Sequence, residues 1–166
     1  MKDKLKRKGY VVVILNTPSG KKRFVFNNII TTAGDIFYAQ KCAGETPTNN
    51  FRNLRLGSSL PVSTSKSSTT SSITLIPNTE KAPSNGYPKT NCEDPDNGFG
   101  GENVITYKYE YGKADFNAPV VSEGIICVQG ASAGDPVLCH FAFDTAFEKT
   151  ANDTLVIFIN HEGEGV

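Results

Sequence analysis

The sequence predicts an all-β domain of β-sandwich or jelly-roll kind, with one short α-helix at about 32–43 and long surface loops. Three observations carry that prediction. Residues 104–111 alternate strictly, with Ile105, Tyr107, Tyr109 and Tyr111 on one face and Thr106, Lys108 and Glu110 on the other. Residues 155–159, Leu-Val-Ile-Phe-Ile, form a nearly continuous apolar run, the pattern of a central strand buried on both faces. Turn signals such as Thr17-Pro18-Ser19-Gly20 and Thr150-Ala151-Asn152-Asp153 separate strand-length segments.

The elements follow in order. Residues 10–16 and 23–30 read as a hairpin, because Pro18 and Gly20 occupy the second and fourth positions of a type I turn. In its second strand Phe24, Phe26 and Asn28 share one face, and Lys21, Lys22 and Arg23 make the tip basic. The helix comes next. Thr32 is the expected N-cap with Asp35 completing a capping box, and Ala33, Ile36, Phe37 and Ala43 form its apolar stripe. Lys41 complements the last turn and Gly44 supplies the left-handed exit, while Gly34 weakens the first turn. Such a helix is expected to plug one end of the β-structure.

Phe51, Leu54, Leu56 and Gly57 suggest a short strand, and residues 73–76 another. Between them, residues 58–72 are dominated by Ser and Thr and read as a flexible or extended surface loop. Residues 77–103 carry four prolines and a glycine-rich end. Their lack of periodicity reads either as a loop gripping a neighbour or ligand, or as a disordered insertion. Residues 120–128 form a further strand, in which Gly124 marks a bulge or a close backbone approach. Residues 137–143 return, with Val137, Cys139, Phe141 and Phe143 alternating against Leu138, His140 and Ala142. This gives a basic arm at 1–9 and a single domain at 10–166.

Composition narrows the function classes. With 17 basic and 17 acidic residues the formal net charge is +0, so no global field draws the chain to nucleic acid or membrane. No apolar run is long enough to span a bilayer, and the short run at 10–15 reads as a strand rather than a signal peptide. Cys42, Cys92, Cys127 and Cys139 lack CxxC spacing and read as free thiols. Lys2, Lys4, Lys6, Arg7 and Lys8 form a basic run, which is either a solvated tail or an arm that lies on an acidic partner.

Chemistry is sparse. No HExxH, GxSxG, P-loop or GxGxxG occurs, and His140 and His161 read as structural, so neither a catalytic residue nor a cofactor is assigned. The loop 91–98, Asn-Cys-Glu-Asp-Pro-Asp-Asn-Gly, offers hard oxygens suited to Ca²⁺. An EF-hand frame starting at Asp94 fails, because Gly98 comes one position early and Ile105 stands where Glu is needed, so no metal ligand is assigned. The tyrosines of 104–111 suit either a stacking platform or an inward core face. Asn152-Asp153-Thr154 matches a glycosylation acceptor, which has no meaning without secretion.

The order of segments resembles that of small virion proteins of tailed bacteriophages. The phrases that carry the resemblance are Asn28-Ile29-Ile30-Thr31-Thr32-Ala33-Gly34-Asp35 running into a helix, Leu54-Arg55-Leu56-Gly57 followed by a Ser/Thr-rich loop, and 147–156 leading to a terminal strand. The long segment 77–103 departs from the shorter versions. The resemblance implies a non-enzymatic capsid decoration (cement) protein on the capsid exterior. Its partners would be the major capsid protein and neighbouring copies of itself, with a homotrimer plausible at local three-folds. The basic run would then meet an acidic shell. A tail-fibre, collar or glycan-binding module is the alternative, with Tyr87 and Phe99 as loop-tip contacts. A hydrolase using Asp and Glu of 91–102 is a weaker one.

Overall fold

The computed structural model describes residues 6–164. Strands β1 (Lys6–Thr17) and β2 (Gly20–Ile30) form the expected hairpin, paired from Gly9/Asn28 to Thr17/Gly20. After α1 (Thr32–Cys42) come β3 (Asn53–Gly57), a 3-10 turn (Thr70–Ser72), β4 (Val104–Tyr111), β5 (Ala118–Cys127), β6 (Cys139–Lys149) and β7 (Thr154–Glu164). All seven strands belong to one antiparallel sheet in the order β3-β5-β6-β2-β1-β7-β4. The fold is all-β, and the layers expected of a sandwich are opposite walls of this single curled sheet.

The enclosed face is filled with side chains. Val11, Val13 and Leu15 of β1, Leu155, Ile157 and Ile159 of β7, and Phe141 and Phe143 of β6 meet the three tyrosines of β4. Those tyrosines therefore line the core. Each hydroxyl finds a partner, which burial of a phenol requires: Tyr109 donates to Arg52 O at 2.6 Å and Tyr111 to Thr79 O at 2.7 Å, while Tyr107 bonds the Tyr38 hydroxyl at 3.2 Å. Gly124 is a close approach. A Cβ there would fall 2.3 Å from Cζ of Phe141, whose ring lies across it.

The helix plugs the barrel, but on a different face from the expected one. Gly34, Phe37 and Tyr38 point inward, and Ile36 is 52% exposed. The N-cap is Thr31 rather than Thr32: its Oγ1 accepts the Gly34 N–H at 2.9 Å and donates to Val137 O. Gly34 is the reason. Without a side chain, the first turn settles against the Leu138 carbonyl, and anchoring Thr31 there rotates Ile36 outward. Gly44 does take the left-handed conformation, at φ +73.

Both long loops are laid on the outside of the wall. Ile73, which directly follows the Ser/Thr-rich stretch 58–72, packs with Ile125, Cys127 and Val137. The segment before β4 brings Phe99 over Val12, Ile14 and Phe158. Each loop thus has its own small apolar cluster beneath it. Ser/Thr-rich 58–72 holds its place by polar bonds, among them Thr32 N to Lys66 O at 2.9 Å and Thr70 Oγ1 to Ser132 O at 2.6 Å. Residues 73–76 contribute isolated bridging rather than a strand, as in the Gly57/Leu75 pair.

Candidate functional site

The Pro/Gly-rich segment 77–103 closes the barrel. Lys81 exchanges backbone hydrogen bonds with Leu54 of β3, both at 2.9 Å. Ser84 N then donates to Lys108 O at 2.8 Å, and Lys89 and Thr106 bond reciprocally at 3.0 and 2.8 Å. It therefore joins the two edge strands, β3 and β4, and consumes the unpaired groups that would invite another chain. The aromatic candidates are part of this work. Tyr87 is half-buried, with its hydroxyl 3.6 Å from Cys92 Sγ and the ammoniums of Lys89 and Lys108 at 5.0 and 5.9 Å from its ring; burial raises its pKa. Phe99 stacks on Tyr10 at 4.8 Å.

The acidic turn 91–98 is occupied by protein cations. Asp94 accepts Asp96 N at 3.0 Å and Lys108 Nζ at 3.2 Å, Asp96 pairs with Lys21, and Arg23 donates to the carbonyls of Asp96 and Asn97 at 2.9 and 2.7 Å. Among the described residues no three His, Cys, Asp or Glu side chains gather as a metal site. All four cysteines are free, three of them buried. Burial pushes the Cys127 thiol up to about 11 and the Cys139 thiol up to about 12, which leaves them unreactive.

Beneath the Ser/Thr loop lies a constellation that the sequence reading missed. Ser68 Oγ is 2.8 Å from His140 Nδ1, and His140 Nε2 is 3.7 Å from Glu123 Oε1. The order resembles a nucleophile, a base and an orienting acid. The surroundings oppose that role. His140 and Glu123 are 0% exposed, and Ser68 Oγ also accepts Ser65 N at 3.0 Å. The backbone N–H groups from Ser67 to Ser72 are all hydrogen-bonded within the loop or to Asp135, so none is left to hold an oxyanion. What the arrangement does is tie the loop to β6. Both carboxyl oxygens of Glu123 lack a hydrogen-bond partner among the described residues.

A second buried polar network sits where the helix meets β1 and β7. The Tyr38 hydroxyl bonds His161 Nδ1, Asn28 Nδ2 lies 2.8 Å from His161 Nε2, and the Arg7 guanidinium lies 4.1 Å from the Tyr38 ring centroid. Burial, with Arg7 adding to it, holds His161 down to about 3, so the ring is neutral. Arg7 and Lys8 therefore belong to β1, not to a free arm. Lys2 and Lys4 lie outside the described residues, as does the side chain of Lys6. Lys149 is a further buried cation; its Nζ donates to Phe116 O at 2.8 Å, and burial lowers its pKa.

One apolar groove of about 360 Å³ runs between Leu75-Ile76-Pro77 and Ala118-Pro119-Val120. Comparison with protein-family models, with curated proteins and with solved structures finds no match to this chain.

Proposed function

We propose that the chain is a structural protein of a tailed-phage virion. In this reading it sits on the capsid exterior as a decoration (cement) protein, bound to the major capsid protein and to neighbouring copies of itself. The observation that supports a structural over a catalytic role is the fate of its polar groups. Ser68, Nδ1 of His140, His161, Lys149 and the acidic turn spend hydrogen bonds inside the fold, fastening loops and the helix to a filled barrel. A rigid brick with anchored loops suits repeated, weak contacts on a symmetric shell, where multivalency multiplies them. In this reading the copies would form trimers at local three-folds.

Quantitative mass spectrometry of purified particles against the major shell protein tests this. A cement protein gives on the order of hundreds of copies per particle. A dozen or fewer would move it to the tail or collar, and absence from the particle would defeat both assignments.

A further inference from the structure

The barrel has a second seam, and this one is open. β2 and β6 pair at three positions alone, Asn28/Phe141, Ile29/His140 and Ile30/Cys139. Beyond them the strands part. The cause lies in the β5/β6 pairing, which shifts register twice: β5 has one extra residue between Ala118 and Val121, and β6 advances five positions from Phe147 to Ala142 while β5 advances two from Val121 to Glu123. A bulge bends the strand that carries it, and β6 parts from β2 where its own extra residues lie. Aromatic rings span the gap instead of hydrogen bonds: Phe26 meets Phe143 at 5.0 Å and Phe24 meets Phe147 at 6.5 Å.

The consequence is an unpaired strand edge. Thr17 and Gly20 flank the hairpin turn, so alternation directs the backbone groups of Phe24 and Phe26 to β1 and those of Lys21, Arg23, Val25 and Asn27 away from it. Among the described residues no strand pairs with that edge. It is open to solvent: Val25 is 43% exposed, Lys21, Arg23 and Asn27 are exposed, and Phe24 and Phe147 are half-buried. The β3 and β4 edges, by contrast, are covered by the segment 81–89.

We propose that the β2 edge is a strand-addition site for an extended segment of a partner protein, with apolar and acidic residues in alternation. Main-chain bonds to the outward groups would supply affinity, and alternate side chains specificity. Apolar residues would lie over Phe24 and Phe147. Acidic ones would face Arg23 on the outer surface, whose bonds to the Asp96 and Asn97 carbonyls leave its charge unneutralised there, whereas Lys21 is already paired with Asp96. The opposite lip carries exposed Asp144 and Glu148, which repel an acidic strand and so direct it to β2. This inference is independent of any place in a virion.

The test uses a fluorescein-labelled peptide of alternating Val and Glu, with Val/Lys and Val/Pro counterparts, titrated by anisotropy against the full chain. Saturable binding of the Val/Glu peptide alone is expected, with loss of about tenfold or more in affinity for Val25→Pro. The Val25 N–H points away from β1, so that substitution removes a docking donor without cutting the hairpin ladder. Hydrogen exchange guards against misfolding of the variant: in the wild-type chain the peptide should slow exchange at Lys21, Arg23, Val25 and Asn27. Absence of binding, equal binding of the Val/Lys peptide, or protection elsewhere than β2 would overturn the proposal.

Discussion

Asn97 and Asn160 exchange side-chain amides across the barrel wall. Nδ2 of Asn97 donates to Oδ1 of Asn160 at 2.9 Å, and the reverse bond is 2.7 Å. Both residues are 0% exposed, and Thr106 Oγ1 adds a third bond to Asn160 Oδ1 at 2.8 Å. This pair, with Arg23 on the neighbouring carbonyls, fixes the loop that carries Phe99 to the outside of β7 and β4.

Removing either member leaves a buried amide unpaired, which costs about 1–3 kcal/mol. Asn97→Ala and Asn160→Ala should each destabilise the chain by that order, and the double variant should lose less than their sum. Urea denaturation of the four proteins measures the coupling. Strict additivity would show that the pair contributes nothing of its own.

His161 makes stability depend on pH. Its pKa is about 3 in the folded chain against an ordinary 6.5, because burial excludes the imidazolium. Between those values the unfolded chain binds the extra proton, so stability is complete above pH 6.5 and falls as pH drops. The slope is about 1.4 kcal/mol per pH unit for this one proton. His161→Gln should flatten the decline between pH 6 and 4 by that amount. An unchanged slope would place the acid sensitivity elsewhere.

Gly34 separates local propensity from tertiary packing. In an isolated helix Gly34→Ala would gain about 1 kcal/mol. Here the new Cβ would stand 2.2 Å from the Leu138 carbonyl oxygen and 2.9 Å from Ile30 Cγ2. The helix would have to lift off the barrel end, so the substitution should destabilise by about 1–3 kcal/mol. A rise in thermal midpoint would contradict the observed contact.

The residues that sequence reading placed well are those whose environment is local. Strict alternation in 104–111, the apolar run of β7 and the Pro18/Gly20 turn each encode their structure within a few positions. The Gly124 signal too was legible, although its neighbour Phe141 was not. What failed depends on distant partners. The stripe containing Ile36 lost to the anchoring of Thr31 on Val137 and Leu138, which no helical periodicity reports. Ser68 and His140 are 72 positions apart, and Ser68 sits in a stretch whose composition resembles that of a free linker. In the segment 77–103, backbone rather than side chains does the pairing, so composition could not distinguish an insertion from the strap that closes β3 against β4.

Glu123 gives the most discriminating prediction about the Ser68–His140 arrangement. Its side chain lies against Gly57, where a Cβ would fall 2.7 Å from Glu123 Cγ, and both carboxyl oxygens are without hydrogen-bond donors among the described residues. The amide of Glu123→Gln keeps the shape and presents both a donor and an acceptor to His140 Nε2, the ring nitrogen 3.7 Å away that likewise lacks a hydrogen-bond partner among the described residues. It should therefore be neutral or stabilising by about 1–2 kcal/mol in urea denaturation at pH 7. His140→Ala removes the partner of Ser68 and opens a void beneath the loop, so it should cost about 2–4 kcal/mol and speed exchange in residues 65–72. If the pair instead contributed as an ion pair, Glu123→Gln would destabilise about as much as His140→Ala. The sign of the Glu123→Gln effect decides whether this site is an anchoring hydrogen bond beside a costly acid, or a salt bridge that holds the wall.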